Sequence, residues 1–74
     1  MPPHDLTPRE LDVVRGIVAG YTNREIARHL GLSEQSVKNV LSTVYQKCRV
    51  RSRLELAIFA LTHQLVPEGE KKHA

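Results

Sequence analysis

Between Gln35 and Gln46 the sequence sets Gln35, Asn39, Ser42 and Gln46 along one side of a helical repeat, with Lys38 and Thr43 beside them. All six side chains carry hydrogen-bonding groups, most can both donate and accept, and Lys38 is the only charge among them. An ordinary solvated helix face carries more Glu and Lys, paired at i,i+4. A face of Gln, Asn, Ser and Lys is matched instead to the edges of stacked bases: Lys donates to guanine O6 and N7, and Asn pairs bidentately with adenine. The plain alternative is a polar surface with no ligand. Charge supports the first reading. Residues 22 to 53 hold seven basic side chains (Arg24, Arg28, Lys38, Lys47, Arg49, Arg51, Arg53) against Glu25 and Glu34, while the segments on either side each carry a slight negative excess. Positive charge gathered in the middle of a chain points to a polyanion, or else to a solvated basic face.

The residues for other chemistries are not arranged to perform them. His4, His29, His63 and His73 are scattered without ligand spacing, and Cys48 is the single cysteine, so no metal site and no disulfide is expected. There is no nucleophile paired with a base, no Gly-rich phosphate loop and no carboxylate cluster. The sequence therefore predicts no enzyme, no catalytic residue and no cofactor.

The elements that would position the polar face are read from their ends. Thr7-Pro8-Arg9-Glu10, Thr22-Asn23-Arg24-Glu25 and Ser52-Arg53-Leu54-Glu55 each fit a capping box, in which the hydroxyl accepts from an unpaired backbone N–H and the Glu reaches back to the cap's own N–H. Ser33 is a fourth cap without the returning Glu. Pro8 suits a first helical position. Staples of Leu6 with Leu11, Tyr21 with Ile26 and Leu32 with Val37 fit the same starts. Gly20 and Gly31 follow apolar runs and mark helix ends. The expectation is an all-α domain of four helices at about 8–19, 23–30, 34–48 and 52–65. It occupies residues 6–66, between an N-terminal arm (1–5) and a flexible polar tail (67–74).

Two helices carry informative apolar patterns. In the third, Val37, Leu41, Val44 and Cys48 recur at helical spacing and predict a buried stripe opposite the polar face, with Cys48 a small core residue. The fourth is apolar over most of its circumference. One stripe is Leu54, Ala57, Ile58, Leu61 and Leu65, assigned to the core. Beside it Leu56, Phe59 and Ala60 form a second, and Leu56 and Phe59 are expected to contact a second copy of the chain unless the first helix covers both stripes. The chain has 74 residues, enough for one domain that buries only about 60–65% of its unfolded surface. No stretch approaches the roughly 20 apolar residues of a membrane span, and the first residues lack signal-peptide character; with one cysteine, a cytoplasmic location is expected.

The second helix, a Gly31-Leu32-Ser33 turn and the third helix make a helix-turn-helix, with Ala27 small inside the first and Val37 locking the second. The start of the second helix, at Thr22 and Asn23, is a natural phosphate site. The longer pattern is more specific. Leu6-Thr7-Pro8-Arg9-Glu10, Gly20-Tyr21-Thr22-Asn23-Arg24-Glu25-Ile26-Ala27, Leu30-Gly31-Leu32-Ser33, Ser36-Val37-Lys38-Asn39 and Val50-Arg51-Ser52-Arg53 resemble the LuxR-type (FixJ- or GerE-type) DNA-binding domain of bacterial transcription regulators, over about Leu6 to Leu61. The resemblance implies a four-helix domain that binds double-stranded DNA as a homodimer, with the third helix in the major groove and the fourth at the dimer contact. RNA polymerase is a further partner of such regulators. It implies base-facing positions for Lys38, Asn39 and Ser42, to which the polar face adds Gln35. It places Asn23, Lys47, Arg51 and Arg53 on the DNA backbone, and Thr22 and Ser36 join them as phosphate contacts. Two positions depart from the family. Val40 stands where His is frequent, and Cys48-Arg49 stands where Leu-Gly is usual, so that the left-handed stop falls on Arg49 or the helix ends differently.

The function expected is sequence-specific DNA binding in transcription regulation, as the effector domain of a response regulator or as a stand-alone regulator. Two alternatives remain at this level. One is a sigma-factor region-4-like promoter module, which the extended fourth helix argues against. The other is a protein-interaction module that has kept the fold and lost DNA binding.

Overall fold

A computed structural model describes residues 5–65, which form four helices: α1 (Pro8–Val18), α2 (Asn23–Leu30), α3 (Glu34–Cys48) and α4 (Arg53–Thr62). Among the described residues there is no strand, and the all-α class is as expected. Apart from Asp5, the arm at 1–5 lies outside the described residues, as does the tail at 67–74.

Each helix starts where its hydroxyl cap stands. Thr7 Oγ1 accepts from the Glu10 N–H and Glu10 Oε1 from the Thr7 N–H, at 3.1 and 2.8 Å. Thr22 and Glu25 repeat both bonds at the same distances. Ser33 Oγ accepts from the Ser36 N–H at 3.0 Å. The expected box at Ser52 is altered. Ser52 Oγ accepts from the Glu55 N–H, but Glu55 Oε1 takes the Arg51 N–H at 2.7 Å instead of the N–H of the cap itself. The carboxylate thereby fixes the residue that leads into α4.

The four helices also end alike. A residue with positive φ (Gly20, Gly31, Arg49 or Gln64) is followed by one whose N–H bonds to a carbonyl five positions back: Tyr21 to Gly16, Leu32 to Ala27, Val50 to Tyr45 and Leu65 to Ala60. This closure satisfies carbonyls that a helix end leaves unpaired. Gly31, at φ 70°, adopts it without a Cβ penalty, whereas Arg49, at φ 58°, bears a steric cost of about 1–2 kcal/mol. The stop expected at Arg49 in place of the usual Gly is therefore formed. At Gln64 the same turn ends α4 at Thr62, short of the expected residue 65, and returns Leu65 to the core.

The core is built from α1, α3 and α4, with α2 laid on α3. Val13, Val14 and Ile17 of α1 meet the predicted stripe Val37, Leu41, Val44 and Cys48 of α3, closed by Leu6 and by Ile26 and Ala27 of α2. Cys48 is buried, and burial pushes its thiol pKa up, with the nearby Glu10 carboxylate adding to the effect; it is an inert core residue. Gly16 lets α1 approach α2 closely: a Cβ there would fall 2.6 Å from Cγ1 of Ile26.

The assignment of the α4 stripes is corrected. Leu56 and Ala60 have no exposure and pack in the core, while Leu54, Ile58 and Leu61 are 70%, 53% and 38% exposed. Leu56 therefore cannot reach a second chain. Phe59 is half-buried and stacks on His63, with ring centroids 4.0 Å apart. Of the stripe expected in the core, Leu54, Ile58 and Leu61 face outward, whereas Ala57 is half-buried against the core and Leu65 is buried within it.

Candidate nucleic-acid interface

Val37, Leu41, Val44 and Cys48 anchor α3 by one side, so its other side must face outward. Gln35, Lys38, Asn39, Ser42, Thr43 and Gln46 are all exposed, and Ser36 is half-buried at the edge. Among the described residues Lys38 has no hydrogen-bonded or ionic partner, so its ammonium is available. Near the start of the helix the hydroxyls and amides are already ordered. Ser33 Oγ donates to Ser36 Oγ at 3.0 Å, and Gln35 Nε2 donates to Asn39 Oδ1 at 3.0 Å. Farther along, Thr43 Oγ1 donates back to the Asn39 carbonyl at 3.4 Å.

Three of the six expected phosphate-binding positions, Thr22, Asn23 and Arg53, gather beside this face. Thr22, Asn23, Arg24, Lys38 and Arg53 line one shallow, open concavity together with the Glu34 carboxylate. The first N–H groups of α2, at Asn23 and Arg24, have no acceptor within the helix, and they add the positive end of its dipole. Arg53 crosses from α4. Its guanidinium donates to Asn23 Oδ1 at 2.8 Å and, from its other terminal nitrogen, to the Tyr21 carbonyl. A planar fork held at two points fixes the start of α4 against the start of α2. Arg24 was not singled out from the sequence as a site residue. Its signal lay in its place beside the Thr22 cap, within the basic third of the chain.

Not every expected residue is free for an anion. Lys47 was assigned to the DNA backbone, but its Nζ lies 2.9 Å from Glu10 Oε1 and 3.0 Å from the Asp5 carbonyl. The Glu10 side chain is only 11% exposed and that of Lys47 30%, so the pair is substantially removed from solvent. Burial by itself raises the Glu10 pKa, but the Thr7 N–H and the Lys47 ammonium together outweigh it and hold the carboxyl below the usual glutamate range. Lys47 thus ties the end of α3 to the entry of α1. Arg51 is exposed just beyond α3, with its backbone N–H held by Glu55 and its guanidinium unengaged among the described residues.

The match to known proteins agrees with this geometry. The family model described as bacterial regulatory proteins, luxR family, matches residues 4–60. The chain belongs to the LuxR family of bacterial regulatory proteins. This LuxR-family domain is 40% identical over 68 residues to the uncharacterized transcriptional regulatory protein YhcZ of Bacillus subtilis, covering 92% of the chain and 32% of that protein. It is 43% identical over 56 residues to the nitrate/nitrite response regulator NarP of Escherichia coli, covering 76% of the chain and 26% of the relative. Over 55 residues it is 40% identical to the transcriptional regulatory protein ComA of B. subtilis, covering 74% and 26%. The chain thus spans between a quarter and a third of the length of these relatives. The LuxR-family match runs through all of α1, α2 and α3 and most of α4, so the polar face of α3 and the concavity beside it both lie within it. No helix among the described residues is long and apolar enough to cross a membrane.

Proposed function

We propose that this LuxR-family domain binds double-stranded DNA sequence-specifically, with α3 in the major groove, as the DNA-reading part of a transcription regulator. The observation that carries the reading is the exposed polar face of α3, set beside a concavity lined by Arg24, Lys38 and Arg53. A major groove about 12 Å wide admits one helix, and the helix before it then crosses the phosphates. In this reading Gln35, Lys38, Asn39 and Ser42 meet base edges. Thr22, Asn23, Arg24, Ser36, Arg51 and Arg53 meet phosphates, and Lys47 supports α3 from behind. The relatives' names favour a regulatory role for the whole protein, as the effector domain of a response regulator or as a stand-alone cytoplasmic regulator that acts with RNA polymerase.

Two copies on DNA fit the remaining apolar surface. Leu54, Ile58 and Leu61 are exposed on α4, and a two-fold contact through them would cover a face that one domain leaves open. Such a contact is small against the roughly 1,200 Å² of stable interfaces, so pairing is completed on a two-half-site duplex.

The test is affinity for a random-sequence duplex at several salt concentrations. Binding whose log K falls linearly with log salt supports the reading. Absence of binding at low salt refutes it and leaves a protein-interaction module that has kept the fold.

A further inference from the structure

The hydrogen bond between Gln35 and Asn39 determines which atoms of each amide face outward. Gln35 Nε2 donates to Asn39 Oδ1 at 3.0 Å, one helical turn away, and both residues are exposed. Asn39 therefore keeps its Nδ2 donors for a partner, while one lone-pair direction of its Oδ1 is already taken. Gln35 keeps its Oε1 as an acceptor. The carbonyl of Asn39 is bonded to Thr43 in the following turn, so the residue is held on both its backbone and its side chain.

We propose that Gln35 is a positioning residue for Asn39, and that the two amides read neighbouring base edges as one coupled donor–acceptor unit. This rests on the DNA-binding reading above and deepens it. An isolated Asn offers Oδ1 and Nδ2 together and suits adenine bidentately. With Oδ1 engaged by Gln35, Asn39 offers mainly a donor, which suits the acceptors N7 or O6 of guanine, N7 of adenine or O4 of thymine. Gln35 Oε1 suits an amino group beside it, on adenine or cytosine. The pairing also limits the side-chain freedom that each long amide would lose on binding.

The experiment measures relative affinity for a duplex panel with each base pair of the selected site replaced in turn. It uses the 74-residue chain and its Asn39→Ala, Gln35→Ala, Gln35→Lys, Gln35→Glu and Gln35→Ala/Asn39→Ala variants. All substitutions are at exposed positions, and circular dichroism checks the helix content. Asn39→Ala identifies the base pair that Asn39 reads, by a loss of discrimination there of roughly tenfold. Gln35→Ala is expected to weaken discrimination at that same base pair severalfold. The Asn39→Ala effect should be smaller in the Gln35→Ala background than alone. Gln35→Lys, which retains a donor toward Oδ1, should preserve the preference at the Asn39 base pair. Gln35→Glu can only accept, so the Asn39 amide turns over and the preference there shifts from a base-edge acceptor toward an amino group. Preference ratios are read because the added charges alter affinity for all sequences alike. If Gln35→Ala and Gln35→Glu both leave the preference at the Asn39 base pair unchanged, Gln35 does not position Asn39 and the inference fails. If the wild-type chain shows no preference at any base pair, the DNA-reading assignment itself fails.

Discussion

Lys47, in the last turn of α3, and Glu10, in the first turn of α1, are held 2.9 Å apart in a partly buried ion pair that also takes in the Asp5 carbonyl. The pair ties the last turn of α3 to the first turn of α1. Removing the ammonium leaves a mostly buried carboxylate with fewer donors. Lys47→Met is therefore expected to destabilise the domain by about 1–3 kcal/mol, measured as a shift in the urea midpoint. Its effect on the salt slope of DNA binding should be smaller than that of Arg51→Ala, which should lower the slope by about 1.

The same pair makes stability depend on pH. The Glu10 carboxyl titrates below the ordinary glutamate value of about 4.3 in the folded chain. The unfolded state therefore binds the proton first as pH falls. The contribution of Glu10 is complete above that ordinary value and is lost as pH falls through the lower, folded pKa. Glu10→Gln should be less stable than the wild type at pH 7, and the difference should shrink toward pH 3. A difference that stays constant across this range would mean that the Glu10 charge does not stabilise the fold.

Gly16 is required by packing. An added methyl would sit 2.6 Å from Cγ1 and 2.9 Å from Cδ1 of Ile26, which is itself 1% exposed and would have to shift. Gly16→Ala should lower stability by about 1–3 kcal/mol in thermal unfolding, even though Ala is the better helix former. A rise in melting temperature would show that α1 and α2 can separate at little cost.

Arg49 offers the opposite case. Its φ of 58° is a left-handed conformation that glycine adopts freely. Arg49→Gly should stabilise the domain by about 0.5–1 kcal/mol, seen as a melting temperature a few degrees higher.

What could be read in the sequence follows the range of the interactions. The four helix starts are local: Thr7, Thr22, Ser33 and Ser52 each bond to a residue three positions on, so the pattern and the structure coincide. The stripe of α3 was equally legible, because apolar and polar residues alternate around it with clear contrast. α4 lacks that contrast. Leu54, Leu56, Ala57, Ile58, Phe59, Ala60 and Leu61 give no phase, and only packing decides that Leu56 and Ala60 face inward. The contacts between Lys47 and Glu10 and between Arg53 and Asn23 join residues 37 and 30 positions apart, a distance at which the pattern specifies no partner. The family resemblance and the place of Lys47 at the end of α3 therefore assign it to the DNA backbone, with no sign in the sequence of its pair with Glu10.

The exposed face of α4 gives a further prediction. Ile58→Glu puts a charge on a side chain that is 53% exposed and should leave the fold intact while abolishing cooperative binding to a two-half-site duplex. Leu56→Glu, at a position with no exposure, should unfold the domain. Cooperativity that persists in Ile58→Glu would place the contact between copies elsewhere.

The central claim is that the exposed face of α3 reads base sequence, and the most direct measurement is selection of binding sites from random duplex DNA by the wild-type chain and by Asn39→Ala. The wild type should enrich a common sequence with two half-sites about one helical turn apart. Asn39→Ala should enrich the same sequence with one position relaxed in each half-site. Failure of the wild type to enrich any common sequence, or an Asn39→Ala variant that binds every sequence more weakly with its preferences intact, would contradict the assignment of α3 as the reading helix.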